Sequence, residues 1–374
     1  MEKKNILFIS SWYPNKLEPT NGNFVQRHAE SVALFHHVEV LHVIGNQNQS
    51  ENYVVEENVI NGIKTLIIYY KNSNNPLQNF SRRMKSYFMG YKKLQKPDLV
   101  HANVLHNNIL FAVFLKKKHK IPFVVTEHWT ALRKINTENT SWIIKKTAKL
   151  IGNQADYLLP VSHDLLKGLQ FLGIKTPMKV IPNVVNTKLF SPKSEVNQTF
   201  AFIHVSNLIK RKNADVILGT ALKLLEKGHD FSLKLGGDGD ISELQKQVSS
   251  SKFKNKIEIF GIQTLPEIAD KMRNSTCFIL FSTDENQPCV IAEAFASGLK
   301  VITTNVGGIA EFFPENAGVL LEEIDQNLLE KAMVKILTEH QLEKNSSLVD
   351  YASKTFSMEA IGSQYSKIYQ KIGL

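Results

Sequence analysis

The sequence predicts an α/β protein built from two doubly wound, Rossmann-like domains facing a central cleft. Three observations carry that expectation. Short apolar runs alternate with longer stretches of helical period, the pattern of parallel strands joined by crossover helices. The alternation comes in two successive sets, separated by a polar, proline-containing stretch without periodicity at residues 191–198. The chain has 374 residues, more than the roughly 100–200 that one ordinary domain uses.

The strands expected in the first set are 5–9, 39–44, 64–69, 99–101, 123–126, 157–160 and 179–181. Those of the second are 201–205, 232–235, 257–260, 277–281, 300–304 and 318–320. The domains expected are therefore 1–190 and 196–356, with a last helix at about 357–374 packing back on the first. In open α/β sheets ligands sit beyond the carboxyl ends of the strands, so the informative loops are those that follow each strand.

Composition excludes several classes. At 43% hydrophobic and 21% charged residues the chain is an ordinary globular one. Its net charge of +10 is uneven: residues 1–190 hold 25 basic and 12 acidic side chains, the remainder 20 and 23. A basic half joined to a faintly acidic half argues against a uniformly basic nucleic-acid coat, and no nucleic-acid partner is expected. Cys277 and Cys289 are the only cysteines and have no metal-ligand spacing, so neither a disulfide framework nor a structural zinc is expected, and a reducing, cytoplasmic setting fits. No run approaches the roughly 20 apolar residues of a membrane span. The apolar start at residues 6–9 is too short for a signal peptide and reads as a buried first strand.

The most informative stretch begins with the strand at 277–281. A polar loop, 282–287, leads to Pro288 and then to an apolar helix that ends at Gly298. Free N–H groups and the dipole at such a helix start suit a phosphate. Glu285 lies in the loop, and Glu293 lies five residues beyond Pro288, roughly 7–8 Å along the axis at 1.5 Å per residue. A diphosphate at the helix start would offer hydroxyls on one side to Glu285 and on the other to Glu293, the layout of a nucleotide sugar. Two merely solvated acids are the plain alternative, but Glu293 sits among Ile291, Ala292, Ala294 and Phe295, where an acid needs a partner.

The spacing Glu285-x7-Glu293, continued by Ala294-Phe295-Ala296-Ser297-Gly298 and Gly307-Gly308, resembles the retaining glycosyltransferases of family 4, which have the GT-B fold. Asp98-Leu99-Val100-His101-Ala102, Thr126-Glu127-His128, Val180-Ile181-Pro182-Asn183, Ser206-Asn207 with Lys212, and Gly236-Gly237-Asp238-Gly239 follow in the order of that family's landmarks. The resemblance implies a first domain that binds the acceptor and a second that binds the donor. It implies transfer of a sugar from a nucleotide-sugar donor to a hydroxyl of a glycan or lipid-linked acceptor, as in cell-surface polysaccharide or glycolipid synthesis. No cofactor or metal is expected.

By the same resemblance a basic pair after the first strand of the second domain holds the diphosphate. Lys212 matches one member; Asn207 stands where arginine is common, and Lys210 or Arg211 could supply the second charge. A basic run opening a helix is unfavourable with the helix dipole unless an anion is present. The expected donor-binding set is Gly22, Asn207, Lys212, Gly237, Ile262, Glu285, Gln287, Cys289, Val290 and Glu293. His128, Lys212 and Glu285 are the expected catalytic residues, and His128 with His101 the acceptor contacts. Gly22 reads equally well as a plain turn glycine, and Gly236-Gly237-Asp238-Gly239 lacks dinucleotide spacing.

The basic excess concentrates in residues 79–96, where Phe80, Met84, Tyr87, Phe88 and Tyr91 form one helical stripe flanked by six basic side chains. The stripe either packs on its own domain or meets an anionic membrane face, which would make the protein peripheral on the inner side of a membrane. Residues 143–146 and 115–120 could extend that surface. The competing readings are an epimerase or phosphorylase of the same fold, and a non-catalytic nucleotide- or nucleic-acid-binding protein; the latter leaves the two glutamates idle.

Overall fold

The computed structural model describes residues 2–193, 199–339 and 344–374. Residues 194–198 of the expected linker lie outside the described residues. In chain order the first elements are β1 (Asn5–Ser10), α1 (Asn23–Ala33), β2 (His37–Asn46), β3 (Tyr53–Ile60), β4 (Ile63–Lys71), α2 (Pro76–Tyr91), β5 (Leu99–Asn103), α3 (Leu110–His119), β6 (Phe123–Glu127), α4 (Trp142–Gly152), β7 (Tyr157–Pro160) and α5 (His163–Phe171). There follow β8 (Ala201–Ser206), α6 (Ala214–Glu226), β9 (Ser232–Gly237), α7 (Ser242–Ser249), β10 (Ile257–Phe260) and α8 (Leu265–Arg273). The chain ends with β11 (Cys277–Leu280), α9 (Cys289–Ala296), β12 (Lys300–Thr304), β13 (Gly318–Leu321), α10 (Gln326–Thr338), α11 (Ser346–Phe356) and α12 (Met358–Lys371).

Two compact units are present. The first comprises Met1–Val184 with Met358–Leu374, the second Val185–Ser357. The division falls ahead of residue 190 because Val185 N–H donates to Phe356 O at 2.8 Å and Phe190 packs in a core of the second unit. The final helix, α12, belongs to the first unit, where Ile361, Tyr365 and Ile368 join Val25, Ala29 and Val32 of α1 in one core.

The first sheet runs β3-β4-β2-β1-β5-β6-β7, parallel except for the β3–β4 hairpin. The second runs β10-β9-β8-β11-β12-β13 and is parallel throughout. Helices cover both faces of each sheet, so alternate strand residues enter different cores: Leu7 and Ile9 one, Ile6 and Phe8 the other. β3 was not among the expected strands, because Tyr53–Ile60 is an acid-bearing, half-exposed edge. Its signal is Asn61-Gly62, both at positive φ (50° and 80°), the two-residue turn that suits a hairpin. Residues 179–181, expected as a strand, run beside β7 through Lys179 N–H to Leu158 O and Ile181 N–H to Pro160 O without forming a named strand.

The order of each sheet reverses once, between β1 and β5 and between β8 and β11. In open α/β sheets ligands bind beyond the carboxyl ends of the strands at such switch points, which makes these two the candidate positions.

Candidate active site

In the second unit the loops after β8 and β11 are joined by side chains. The β8 residue His204 donates from Nδ1 to Ile279 O of β11 at 2.9 Å, since a carbonyl only accepts, and its Nε2 accepts from the Ser206 hydroxyl at 2.9 Å. Burial pushes His204 down to about 4, so the ring stays neutral in this role. Ser206 Oγ in turn accepts from Leu208 N–H at 3.2 Å. Leu208 (φ 34°) and Asn213 (φ 50°) are left-handed without being glycine, a cost that the surrounding bonds sustain. Between them a single tight helical turn, Lys210–Lys212, brings Lys212 inward.

Lys212 is 7% exposed and its ammonium forms a buried ion pair with Glu285, itself 5% exposed. Arg211 Nη1 lies 3.7 Å from the same Glu285 oxygen and donates to Asp284 O, while Thr283 N–H donates to Arg211 O at 2.9 Å. Two cations therefore flank one carboxylate at the β8/β11 switch point, and the group carries a net positive charge. Of the two candidates for the second cation, Arg211 is the one at Glu285; Lys210 and Asn207 are exposed.

α9 begins where the sequence places it, with Pro288 as its cap and Gly298, at φ 72°, just past its end. Gln287 is buried, and Cys289 and Val290 are half-buried in the first turn. Glu293 is 3% exposed on α9 among the core residues Ile291, Ala292, Ala294 and Phe295. Gly308 N–H donates to Asn286 O at 2.9 Å, which ties the glycine-rich loop after β12 to the Glu285 loop.

Gly237 ends β9 at φ 135°, and a Cβ there would lie 1.9 Å from Ser206 O, so only glycine lets β9 end against the loop that carries Lys212. Ile262 is exposed beyond the edge strand β10.

At the first unit's switch point, β6 ends in Glu127, whose carboxylate accepts from the N–H groups of Leu105 (2.5 Å), His128 (2.8 Å) and Trp129 (2.7 Å). Burial pushes Glu127 up to about 7 against those three donors. Val104, a β-branched residue at φ 67°, makes the turn that delivers Leu105 to it. His128 is buried, with its ring 4.5 Å from Phe24 and 5.2 Å from His28, and burial holds it well below the ordinary histidine value. Gly22, at φ 74° before α1, has Trp12 backbone 2.4 Å from where a Cβ would be; that close approach within the chain is reason enough for glycine.

His101 differs from the expectation of a residue near the strand end. It is fully buried in β5, with Nδ1 2.6 Å from Tyr369 Oη and Nε2 2.6 Å from Thr126 Oγ1. Both ring nitrogens are thus engaged inside the unit, and the structure does not bring His101 to an acceptor.

The sequence reading missed an aromatic group at this switch point. Half-buried Trp12, after β1, meets Trp129, after β6, edge-on at 6.1 Å, and Phe24 at 6.2 Å. The available signal was the position of each aromatic just beyond a strand or at a helix start. Among the described residues no group of three or more His, Cys, Asp or Glu side chains converges as a metal site, and no helix is long and apolar enough to cross a membrane.

The "Glycosyltransferase Family 4" model matches residues 25–189, and the "Glycosyl transferases group 1" model matches residues 186–355. An uncharacterised glycosyltransferase of Methanocaldococcus jannaschii is 25% identical over 83% of this chain and 87% of its own. The phosphatidylinositol N-acetylglucosaminyltransferase GPI3 protein of Saccharomyces cerevisiae is 22% identical over 73% of this chain, a match that spans 60% of that protein. The solved structure of Anabaena HepE in complex with UDP-glucose shares the fold, with a TM-score of 0.72 at 17% identity, covering 98% of this chain and 100% of that one. Two doubly wound sheets, a buried lysine and glutamate at the switch point of the second, and family models that between them run from residue 25 to 355 lead to one assignment: the chain belongs to the family 4, group 1 glycosyltransferases of GT-B fold, enzymes that use nucleotide-sugar donors.

Proposed function

We propose that this glycosyltransferase transfers a sugar, with retention, from a nucleoside-diphosphate sugar bound by the second unit to a hydroxyl of a glycan or lipid-linked acceptor. The observation that carries the reading is the buried Lys212–Glu285 pair with Arg211 beside it, at the switch point and ahead of the α9 start. A diphosphate arriving there meets two cations and the positive end of the α9 dipole, and Lys212 exchanges its carboxylate for phosphate oxygens. Glu285, released from Lys212, then accepts hydrogen bonds from sugar hydroxyls. Glu293 serves the ribose hydroxyls, and the turns at Gly237 and Ile262 serve the base; Asn207, exposed, has at most a peripheral part.

As the bond from the anomeric carbon to the phosphate oxygen breaks, negative charge grows on the leaving diphosphate, where Lys212 and Arg211 stabilise it. The acceptor oxygen bonds to the anomeric carbon on the same face, and its proton passes to the departing phosphate oxygen. His128 supplies a neutral imidazole on the acceptor side. Trp12, Phe24 and Trp129 offer ring faces and edges suited to a pyranose.

The names of the comparison proteins, one bound to UDP-glucose and one acting on phosphatidylinositol, support a UDP-linked donor and a lipid-linked acceptor. The surface that favours a membrane-borne acceptor is the start of α4, where Trp142 and Ile143 are 66% and 58% exposed beside Lys145 and Lys146. The α2 stripe is engaged only in part: Tyr87 is buried, and of its flanking cations Arg83 donates to Tyr70 Oη (3.0 Å) and Asn107 (2.7 Å) and Lys85 lies over the Tyr53 ring, while Phe80 and Phe88 are exposed.

A thermal-shift screen across UDP-, GDP- and ADP-sugars tests the donor site; a ligand at 100 times its Kd adds about 2.7 kcal/mol. No shift with any of them removes the proposal, and product analysis with the best donor separates transfer from epimerisation. Co-sedimentation with anionic vesicles, lost on Trp142→Ala/Ile143→Ala, tests the membrane contact.

A further inference from the structure

A chain of buried polar groups crosses the first unit from the C-terminal helix to His128. Tyr369 Oη lies 2.6 Å from His101 Nδ1; His101 Nε2 lies 2.6 Å from Thr126 Oγ1; Thr126 Oγ1 lies 3.2 Å from Tyr365 Oη. Tyr365 Oη lies 2.8 Å from His28 Nδ1, and His28 Nε2 lies 3.2 Å from Asn183 Oδ1. Every link can be given a direction. An amide oxygen only accepts, so His28 Nε2 donates, and in a neutral ring its Nδ1 then accepts from Tyr365. With its proton so used, Tyr365 accepts from Thr126; Thr126 accepts from His101 Nε2–H; His101 Nδ1 accepts from Tyr369.

One direction of donation satisfies every group in the chain, and it requires both histidines to be neutral with the proton on Nε2. Burial favours the same state, pushing His28 down to about 4 and His101 well below its ordinary value. The chain ends on Asn183, and the ring of His28, the link before it, lies 5.2 Å from that of His128. His128 is held by its ring contacts with His28 and Phe24 and by its backbone bond to Glu127.

We infer that Asn183 and Tyr365 are positioning residues for His128: Tyr365, brought by α12, holds His28 at Nδ1, Asn183 holds it at Nε2, and the His28 ring so fixed packs against the His128 imidazole and sets its place. The inference rests on the reading that His128 meets the transferred sugar or the acceptor. It gives α12, which follows the whole second unit in sequence, a part in the first unit's reacting surface, and it gives His101 a place two links behind Tyr365 instead of an acceptor contact.

The test uses the full-length chain labelled with 15N-histidine, read by long-range imidazole spectra between pH 5.5 and 8. In the wild type His28 and His101 should be neutral Nε2–H tautomers that do not titrate. Tyr365→Phe keeps the ring and its packing while removing the hydroxyl. It should shift His28 away from the pure Nε2–H pattern, move the His128 signals, and lower kcat about tenfold at unchanged donor KM, with the donor that gives the largest thermal shift. Asn183→Ala should move the His128 signals and lower kcat similarly while leaving His101 unchanged. A wild-type His28 that titrates in this range, or Tyr365→Phe spectra unchanged at His28 and His128, overturns the inference. So does unchanged turnover in both variants when His128→Ala is impaired. If His128→Ala itself keeps full turnover, the role of His128 fails, and the spectra still decide separately whether the chain of bonds exists.

Discussion

The switch points of the two units solve their chemistry in opposite electrical styles. In the second unit, drawn from the faintly acidic part of the chain, the site is built on buried charge: Lys212 against Glu285, with Arg211 at 3.7 Å. In the first unit, drawn from the basic part, the buried groups around His128 are tyrosine, threonine, amide and neutral imidazole, with Glu127 as the one carboxyl beside them, and the cations lie mostly at the surface. Net charge by half of the sequence therefore runs against the charge of each site. The difference follows from what each would hold. A diphosphate needs cations whose desolvation is offset beforehand by a partner it can displace, whereas a hydroxyl nucleophile and a sugar ring need fixed neutral dipoles.

Substitutions at the charged site would test this contrast most severely. On the proposed function, Lys212→Ala removes a charge that stabilises the leaving group, and turnover should fall by about 10²–10³-fold or more. It also leaves buried Glu285 with only the more distant Arg211, so stability should fall, by less than the about 3–5 kcal/mol that breaking a buried pair outright costs. Lys212→Met/Glu285→Gln should be inactive yet melt above Lys212→Ala in calorimetry; a double variant melting lower would mean that the pair contributes more than its desolvation costs. Gly237→Ala should be the next largest effect, because the new Cβ would press on Ser206 O behind the Lys212 loop. The expected outcome is loss of the donor-induced thermal shift with the first unit's fold unchanged.

Acid should separate the two units. His28 and His42 are held at about 4, and His101 and His128 well below the ordinary 6.5, all chiefly by burial. In the second unit, among the described residues, His204 alone is so held, at about 4. A lowered histidine value means that the unfolded chain takes up protons below about 6.5 while the folded one does not until about 4. Stability is thus lost as pH falls through that interval, by up to about 1.4 kcal/mol per pH unit for each such histidine. Glu127, raised to about 7, works with the opposite sign, favouring the folded form at acid pH and losing that contribution as pH rises through 7. It offsets about one histidine of the four. Hydrogen exchange at pH 5 compared with pH 7.5 should show β1, β5 and β6 losing protection before β8 and β11; the reverse order would break the comparison. The smallest effect is expected at the surface, where replacing exposed Lys92, Lys93 and Lys96 by glutamine should leave turnover with a soluble acceptor within twofold and Tm nearly unchanged.

Much of this was legible in the residue order, and the exceptions have physical reasons. Strands buried on both faces announce themselves as apolar runs, so nearly all were expected; β3, solvated along one edge, carried only its Asn61-Gly62 turn. Glu293 stood out because an acid in an apolar helix demands a partner, Lys212 because a basic run at a helix start calls for an anion, and Glu285 by its spacing from Glu293. Which partner was not legible: Lys212 and Glu285 are 73 positions apart, and the reversal of strand order between β8 and β11 is what sets their loops together. His101 shows the converse. A histidine in a strand-end motif reads as a ligand contact until tertiary packing brings Tyr369 to it, 268 positions away. The sequence by itself determined the two sheets, the start of α9 and the inventory of chemical groups, because these depend on local periodicity and on the cost of burying charge. Only the tertiary structure decided which groups meet, since hydrogen bonds and ion pairs form between strands and helices that the sheet order and the return of α12 bring together.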